Sequence, residues 1–143
     1  MVRSALNNIR RDAQGIRITE QYDKLPSLWA DALLVENAIY NILANACDAM
    51  PWGGHLAVRT QLMQNDGAAP QHVLVEIADS GSGMAEEFVQ NELFAPFVTT
   101  KEHGLGLGLY TCQQIIRMHG GKMRVYSELG RGTVFSIYLP VTD

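Results

Sequence analysis

The chain has 143 residues, 11 of them Lys or Arg and 15 Asp or Glu, for a formal net charge of −4. One domain with one core is therefore expected, and Arg10-Arg11 is too little positive charge to bind a nucleic-acid backbone. Cys47 and Cys112 share no Cys-x-x-Cys spacing and fall in helix-like stretches, so they read as small core residues of a protein in a reducing cytoplasm. No apolar run approaches the ~20 residues of a membrane span and no signal-peptide apolar region opens the chain, so no membrane contact by this segment is expected. Met1-Val2-Arg3 opens inside an amphipathic helix, as a longer parent continuing upstream would produce.

Residues 1–13 read as the end of a helix carrying Leu6, Ile9 and Arg10 at helical spacing, stopped by Gly15. They are expected to close a preceding helical domain or linker, with residues 14–143 forming the main domain. Ile16 to Tyr22 alternates as a strand does, and Leu25-Pro26 breaks it. Asp31 suits the N-cap of a helix running to Met50, where Pro51 and Gly53-Gly54 end it. Leu56 to Leu62 and Gln71 to Asp79 form a strand pair around Gln64-Asn65-Asp66-Gly67. A short helix near Ala85 to Asn91 and an irregular stretch to Gly104 follow, then a helix from about Gly106 to His119 stopped by Gly120. Lys122 to Ser127 and Thr133 to Leu139 make a last strand pair turning through Gly130-Arg131-Gly132.

The strands alternate: Val73, Val75 and Ile77 against Leu74, Glu76 and Ala78; Met123 and Val125 against Arg124 and Tyr126; Phe135, Ile137 and Leu139 against Ser136 and Tyr138. A sheet with one apolar and one mixed face is covered on one side, which predicts a two-layer α/β sandwich with a mixed, largely antiparallel sheet.

In the helix from Asp31 to Met50, Ile39, Leu43, Ala46 and Met50 fall on one arc. Asn37, Asn41, Asn45 and Asp48 form a stripe nearly opposite, flanked by Ala38 and Ala49. A solvated face ordinarily carries Lys, Glu and Arg, whereas amide and carboxylate oxygens suit Mg²⁺ held between a few protein ligands and phosphates. Asp79 ends a strand with the parity of Val73, Val75 and Ile77, so its carboxylate points to the covered side and needs a partner. Gly81 and Gly83 allow a tight turn that leaves Asp79 on a pocket floor, open to an exocyclic amine such as that of adenine. Gly104-Leu105-Gly106-Leu107-Gly108-Leu109 opens a helix, where free N–H groups favour an anion. Neither a dinucleotide fingerprint nor a P-loop matches that spacing. Phe94-Ala95-Pro96-Phe97 and Thr99-Thr100-Lys101 place an apolar anchor, hydroxyls and an ammonium upstream of it.

Asn41-x-x-x-Asn45-Ala46, Asp79-x-Gly81-x-Gly83, Phe94-x-x-Phe97, Gly104-x-Gly106-x-Gly108-Leu109 and Gly130-x-Gly132-Thr133, in this order, resemble the N, first-glycine, F, second-glycine and third-glycine boxes of histidine kinases. Leu25-Pro26 and Trp29-Ala30-Asp31 extend the likeness. The resemblance implies the Bergerat fold shared with type II topoisomerases, mismatch-repair clamps and a heat-shock chaperone, with ATP between the long helix and a lid spanning about 84–104. It implies Asn45 as principal Mg²⁺ ligand with Asn41 assisting, Asp48 and Ala49 beside them, and Asp79 on the adenine amine. Gly81, Gly83 and Met84 would lie against the base, with Thr133 near Asp79 through a water. Phe97, Thr100 and Gly104 to Leu109 would complete the pocket, with Lys101 reaching the γ-phosphate. Leu105, where Thr or Ser is common, and Asp48, where Lys or Arg is common, depart from the family pattern.

Family clamps that hydrolyse ATP resemble one another in a glutamate four residues before the metal-binding Asn. Here that position is Asn41, which is no base at neutral pH. The expectation is therefore an ATP-dependent protein-histidine kinase domain, with an ATP-hydrolysing clamp and a non-catalytic nucleotide-binding module as alternatives. None of His55, His72, His103 or His119 lies in a phosphoacceptor motif or shares metal spacing. The accepting histidine would belong to a helical dimerisation domain of the same parent, a cytoplasmic response regulator would act downstream, and the parent could still be membrane-anchored.

Overall fold

The structure, a computed structural model, describes residues 1–10, 13, 15–26, 28, 30–63, 72–91, 93–95 and 107–141. In chain order these form α1 (Val2–Ile9), β1 (Ile16–Tyr22), α2 (Ala32–Asp48), β2 (Gly54–Met63), β3 (His72–Asp79), α3 (Glu86–Asn91), α4 (Leu107–Met118), β4 (Lys122–Glu128) and β5 (Gly132–Pro140). The elements expected from periodicity are all present, with ends shifted by a residue or two, except that the first helix, expected over residues 1–13, ends at Ile9.

Local chemistry accounts for the helix ends. Asp31 caps α2, its side chain accepting from Leu34 N–H at 3.1 Å. Gly120, at φ 75°, follows α4, and the bonds Gly120 N–H to Arg117 O and Gly121 N–H to Ile116 O close a Schellman motif. His119 ties the two helices together: Nδ1 lies 2.7 Å from Ile115 O, and Nε2 accepts from Asp31 N–H at 3.0 Å.

The five strands are ordered β1-β2-β3-β5-β4; β1 and β2 run parallel across the α2 crossover and the other pairs are antiparallel. Leu56, Val58, Val73, Val75, Ile77, Phe135, Ile137 and Leu139 are buried on the face toward the helices. Opposite them lie Val35, Ile39, Leu43, Ala46 and Met50 of α2, with Cys112 and Ile116 of α4. Both cysteines are buried thiols, not joined in a disulfide. On the other face the sheet carries no helix among the described residues, and Arg59 and Glu76 pair across β2 and β3 at 3.1 Å. Leu74, expected on this mixed face, lies there and is nevertheless buried, in register between Gln61 and Tyr138. Its longer cross-strand neighbours supply the cover that a helix would otherwise give.

Helix α1 docks on α2 through Ala5, Leu6 and Ile9, all at 1% exposure or less. Arg10, grouped with them by spacing, instead turns outward to Glu20 at 2.7 Å, and Tyr22 donates to the same carboxylate at 2.8 Å. Burial, and after it the partnership with Glu20, push the Tyr22 phenol up to about 12. Because Leu6 is fully enclosed, Leu6→Ala is expected to lower stability by about 2–5 kcal/mol, read as a drop in urea midpoint. An unchanged midpoint would show that α1 adds nothing to the core.

Candidate functional site

Register brings three polar side chains into one row at the end of the sheet. Asp79 of β3 pairs with Thr133 of β5, and Thr133 pairs with Ser127 of β4, all on the helix-facing side. The Asp79 carboxylate accepts from Gly81 N–H at 2.9 Å and from the Thr133 backbone N–H. Burial pushes this carboxyl above its ordinary value, and the two backbone donors only partly counter the shift.

The loop after Asp79 is pinned on both sides. Ser82 N–H donates to Ala49 O at the end of α2 (3.2 Å), and Gly130 N–H of the β4–β5 turn donates to Ser82 O (2.8 Å). A side chain at Gly81 would meet Ala49 O at 2.6 Å, so the loop lies on the end of α2 only because residue 81 is glycine. Gly83 holds φ 69°, and a Cβ there would meet Glu128 O at 2.0 Å. Met84 N–H then donates to Ser127 Oγ at 2.8 Å, closing the ring of elements around Asp79. Ser80 accepts from His55 N–H at 2.9 Å in the same turn.

The second wall comes from α2. Asn41 and Asn45 are half-buried while Asn37 and Asp48 are exposed, so the amide stripe passes from solvent into the site along the helix. Helix α4 runs antiparallel beside it: His119 meets Asp31, and Cys112 Sγ donates to Ala38 O at 3.3 Å. Seven residues back along α4 correspond to seven forward along α2, so continuing the register sets Leu109 level with Asn41. The described N-terminal end of α4 thus lies beside the amide stripe. Among the described residues, nothing outside the neighbouring backbone of α4 comes within 4 Å of where a Cβ on Gly108 would stand.

Asn41, Asn45, Ala49, Asp79, Gly81, Gly83, Met84, Gly108, Leu109 and Thr133 therefore frame one region, with Asp48 at its exposed margin. Phe97, Thr100, Lys101, Gly104, Leu105 and Gly106, the side chain of Leu107, and the later part of the expected lid, residues 96–104, lie outside the described residues. A shallow depression lined by Thr19, Ala57, Arg59 and Glu76 lies on the helix-free face and shares no residue with this region. Among the described residues no group of three or more His, Cys, Asp or Glu could hold a metal. Ser127 was not singled out from the sequence; its parity with Met123 and Val125, a polar residue on an apolar face, was the available signal.

The pattern of the histidine kinase-, DNA gyrase B- and HSP90-like ATPases matches residues 30–143. The chain belongs to this family. Sporulation kinase E of Bacillus subtilis is 41% identical over 119 residues, covering 83% of this chain and 15% of that protein. The mycobacterial sensor histidine kinase MprB superposes with a TM-score of 0.83 at 29% identity, over 97% of this chain and 91% of that one. Full-length ShkA in complex with AMPPNP gives a TM-score of 0.83 at 27% identity, over 99% of this chain and 30% of that one. The histidine kinase catalytic domain seen here thus spans a small part of the curated relatives' length.

Asp79 yields a pair of opposed expectations. Because its folded pKa is raised, its contribution to stability is full at acid pH and is lost as pH rises through that value. Without nucleotide, Asp79→Asn should be at least as stable as wild type at pH 7, with the difference shrinking toward pH 4 in thermal melts. The same substitution should weaken ATP binding by about 1–3 kcal/mol in calorimetric titration, since the carboxylate acceptor is replaced by an amide. Unchanged ATP affinity would remove Asp79 from the site.

Proposed function

We propose that this catalytic domain binds Mg²⁺-ATP and transfers the γ-phosphoryl group to a histidine on a helical dimerisation domain of its parent. The single observation carrying the reading is the half-buried Asp79 carboxylate, held by backbone N–H groups at the end of a central strand. Such a group offers its remaining lone pairs to a donor from outside, and an adenine amine supplies one. Likeness to ShkA, solved with AMPPNP, supports a nucleotide here.

The donor set fits the cofactor: two half-buried carboxamides one turn apart, Asn41 and Asn45, level with the start of α4. They would hold Mg²⁺, which offsets polyphosphate charge when bound. The glycine segment 104–109 gives N–H groups to the phosphates, and Lys101 reaches the γ-phosphate. Thr100 and Phe97 line the lid side, while Ala49, Gly81, Gly83 and Met84 bound the base.

Chemistry then depends on positioning more than on proton abstraction. Asn41 cannot activate water, so a bound ATP waits for a better nucleophile. A neutral imidazole is one at pH 7 without a strong base. Its nitrogen attacks the γ-phosphorus, the bond to the β–γ bridging oxygen breaks, and ADP leaves. Residues 1–13 carry the connection to the helical domain, and a cytoplasmic response regulator receives the phosphoryl group next.

The isolated chain is accordingly expected to release phosphate from ATP slowly, and to label a separately supplied histidine-bearing helical domain from γ-labelled ATP in an acid-labile form. Asn41→Glu should raise phosphate release by supplying a base. Rapid release from the wild-type chain with no transferred label would instead make it a clamp-type ATPase.

A further inference from the structure

We propose that Ser127 is a positioning residue that fixes the hydrogen-bond polarity of Thr133, and thereby helps the site prefer a 6-amino over a 6-oxo purine. The inference rests on the adenine reading and deepens it. Ser127 Oγ has three neighbours: Met84 N at 2.8 Å, Gly132 O at 3.1 Å and Thr133 Oγ1 at 2.7 Å. A hydroxyl has one proton and two lone pairs. The Met84 amide can only donate and the Gly132 carbonyl can only accept, so the one arrangement that makes all three bonds sends the Ser127 proton to Gly132 and gives one lone pair to Met84. Only a lone pair is left for Thr133, whose own proton must therefore point at Ser127.

Thr133 is buried, and its hydroxyl then has lone pairs alone to offer any other neighbour. It stands in register beside Asp79, whose carboxylate also only accepts. Paired positions on adjacent strands lie about 5 Å apart, so the end of the sheet presents two acceptors side by side. An amino group, directly or through a water, satisfies them; a keto oxygen sets lone pair against lone pair, leaving buried acceptors unpaired. Both partners that lock Ser127 are backbone groups, which cannot exchange donor for acceptor. Without Ser127 the Thr133 hydroxyl turns freely and can donate to a keto oxygen.

The test measures calorimetric Kd values for ATP and GTP in wild type, Ser127→Ala, Ser127→Thr, Thr133→Val and the Ser127→Ala/Thr133→Val pair, with thermal melts to verify folding. Ser127→Ala should lower the ATP-over-GTP preference about tenfold, the worth of one hydrogen bond. Ser127→Thr, which restores the hydroxyl, should keep the preference, and Ser127→Ala should add nothing in the Thr133→Val background. If Ser127→Ala fails to fold, Ser127→Cys keeps the shape with a poor hydrogen-bonding group and should show the same fall. Equal weakening of both nucleotides, or a fall that persists in Thr133→Val, overturns the inference. Asp79→Asn, titrated alongside, separates the two readings. Full ATP affinity in that variant defeats the adenine reading and this inference with it; weakened ATP there, with an unchanged preference in Ser127→Ala, defeats only the role of Ser127.

Discussion

A half-buried carboxylate at the end of a central strand, with no cation beside it among the described residues, has to be stabilised by backbone donors, and the architecture around Asp79 follows from that requirement. Two backbone N–H groups, from Gly81 and Thr133, stabilise the charge in part, yet burial still wins and the carboxyl stays above its ordinary value. The Gly81 donor exists only because the chain turns sharply onto the end of α2, where no Cβ would fit. The Thr133 donor exists only because β5 is inserted between β3 and β4. A site that leaves a desolvated charge incompletely paired is poised for a ligand with donors, at a cost to the stability of the empty fold.

Helix α2 links this floor to the rest of the molecule. Its apolar arc is the largest contributor to the core, while the amide stripe stays half in contact with solvent. Three separate fastenings set its position: the Asp31 cap, the His119 and Cys112 bonds from α4, and the docking of α1. The geometry of the Asn41–Asn45 wall is thus carried by these fastenings along the helix. Substitutions that loosen α1 or α4 should reach the site through this helix, with no contact to a nucleotide of their own.

Polar groups that cannot change roles do much of the organising. Backbone amides and carbonyls from Met84, Ser82, Gly130, Gly132 and Ala49 stitch the loop after β3 to both α2 and the β4–β5 turn. Side chains then inherit fixed directions from these backbone partners, as Ser127 does. The family shares the motif positions, but the polarity of each hydroxyl is a property of the assembled strands.

Much was legible before any coordinates. Period-two alternation placed Asp79 on the covered side, since a residue's face on a strand depends only on parity. Helical spacing separated the Asn stripe from the core arc, and Asp31, Gly120 and the ordered motifs carried the helix ends and the histidine kinase family. Arg10 and Leu74 were read by periodicity alone; Arg10 came out differently, and Leu74 kept its expected face but is buried there. Arg10 lies one residue past the end of α1, where an ion pair with Glu20 outweighs helical phase; Leu74 is buried because Gln61 and Tyr138, distant in sequence, flank it. The role of Ser127 could not be read in advance for the same reason. Its meaning lies in which strand stands beside β4 and in which register, and that is settled by the packing of the whole sheet, since a hydrogen bond depends on distance in space and not on separation along the chain.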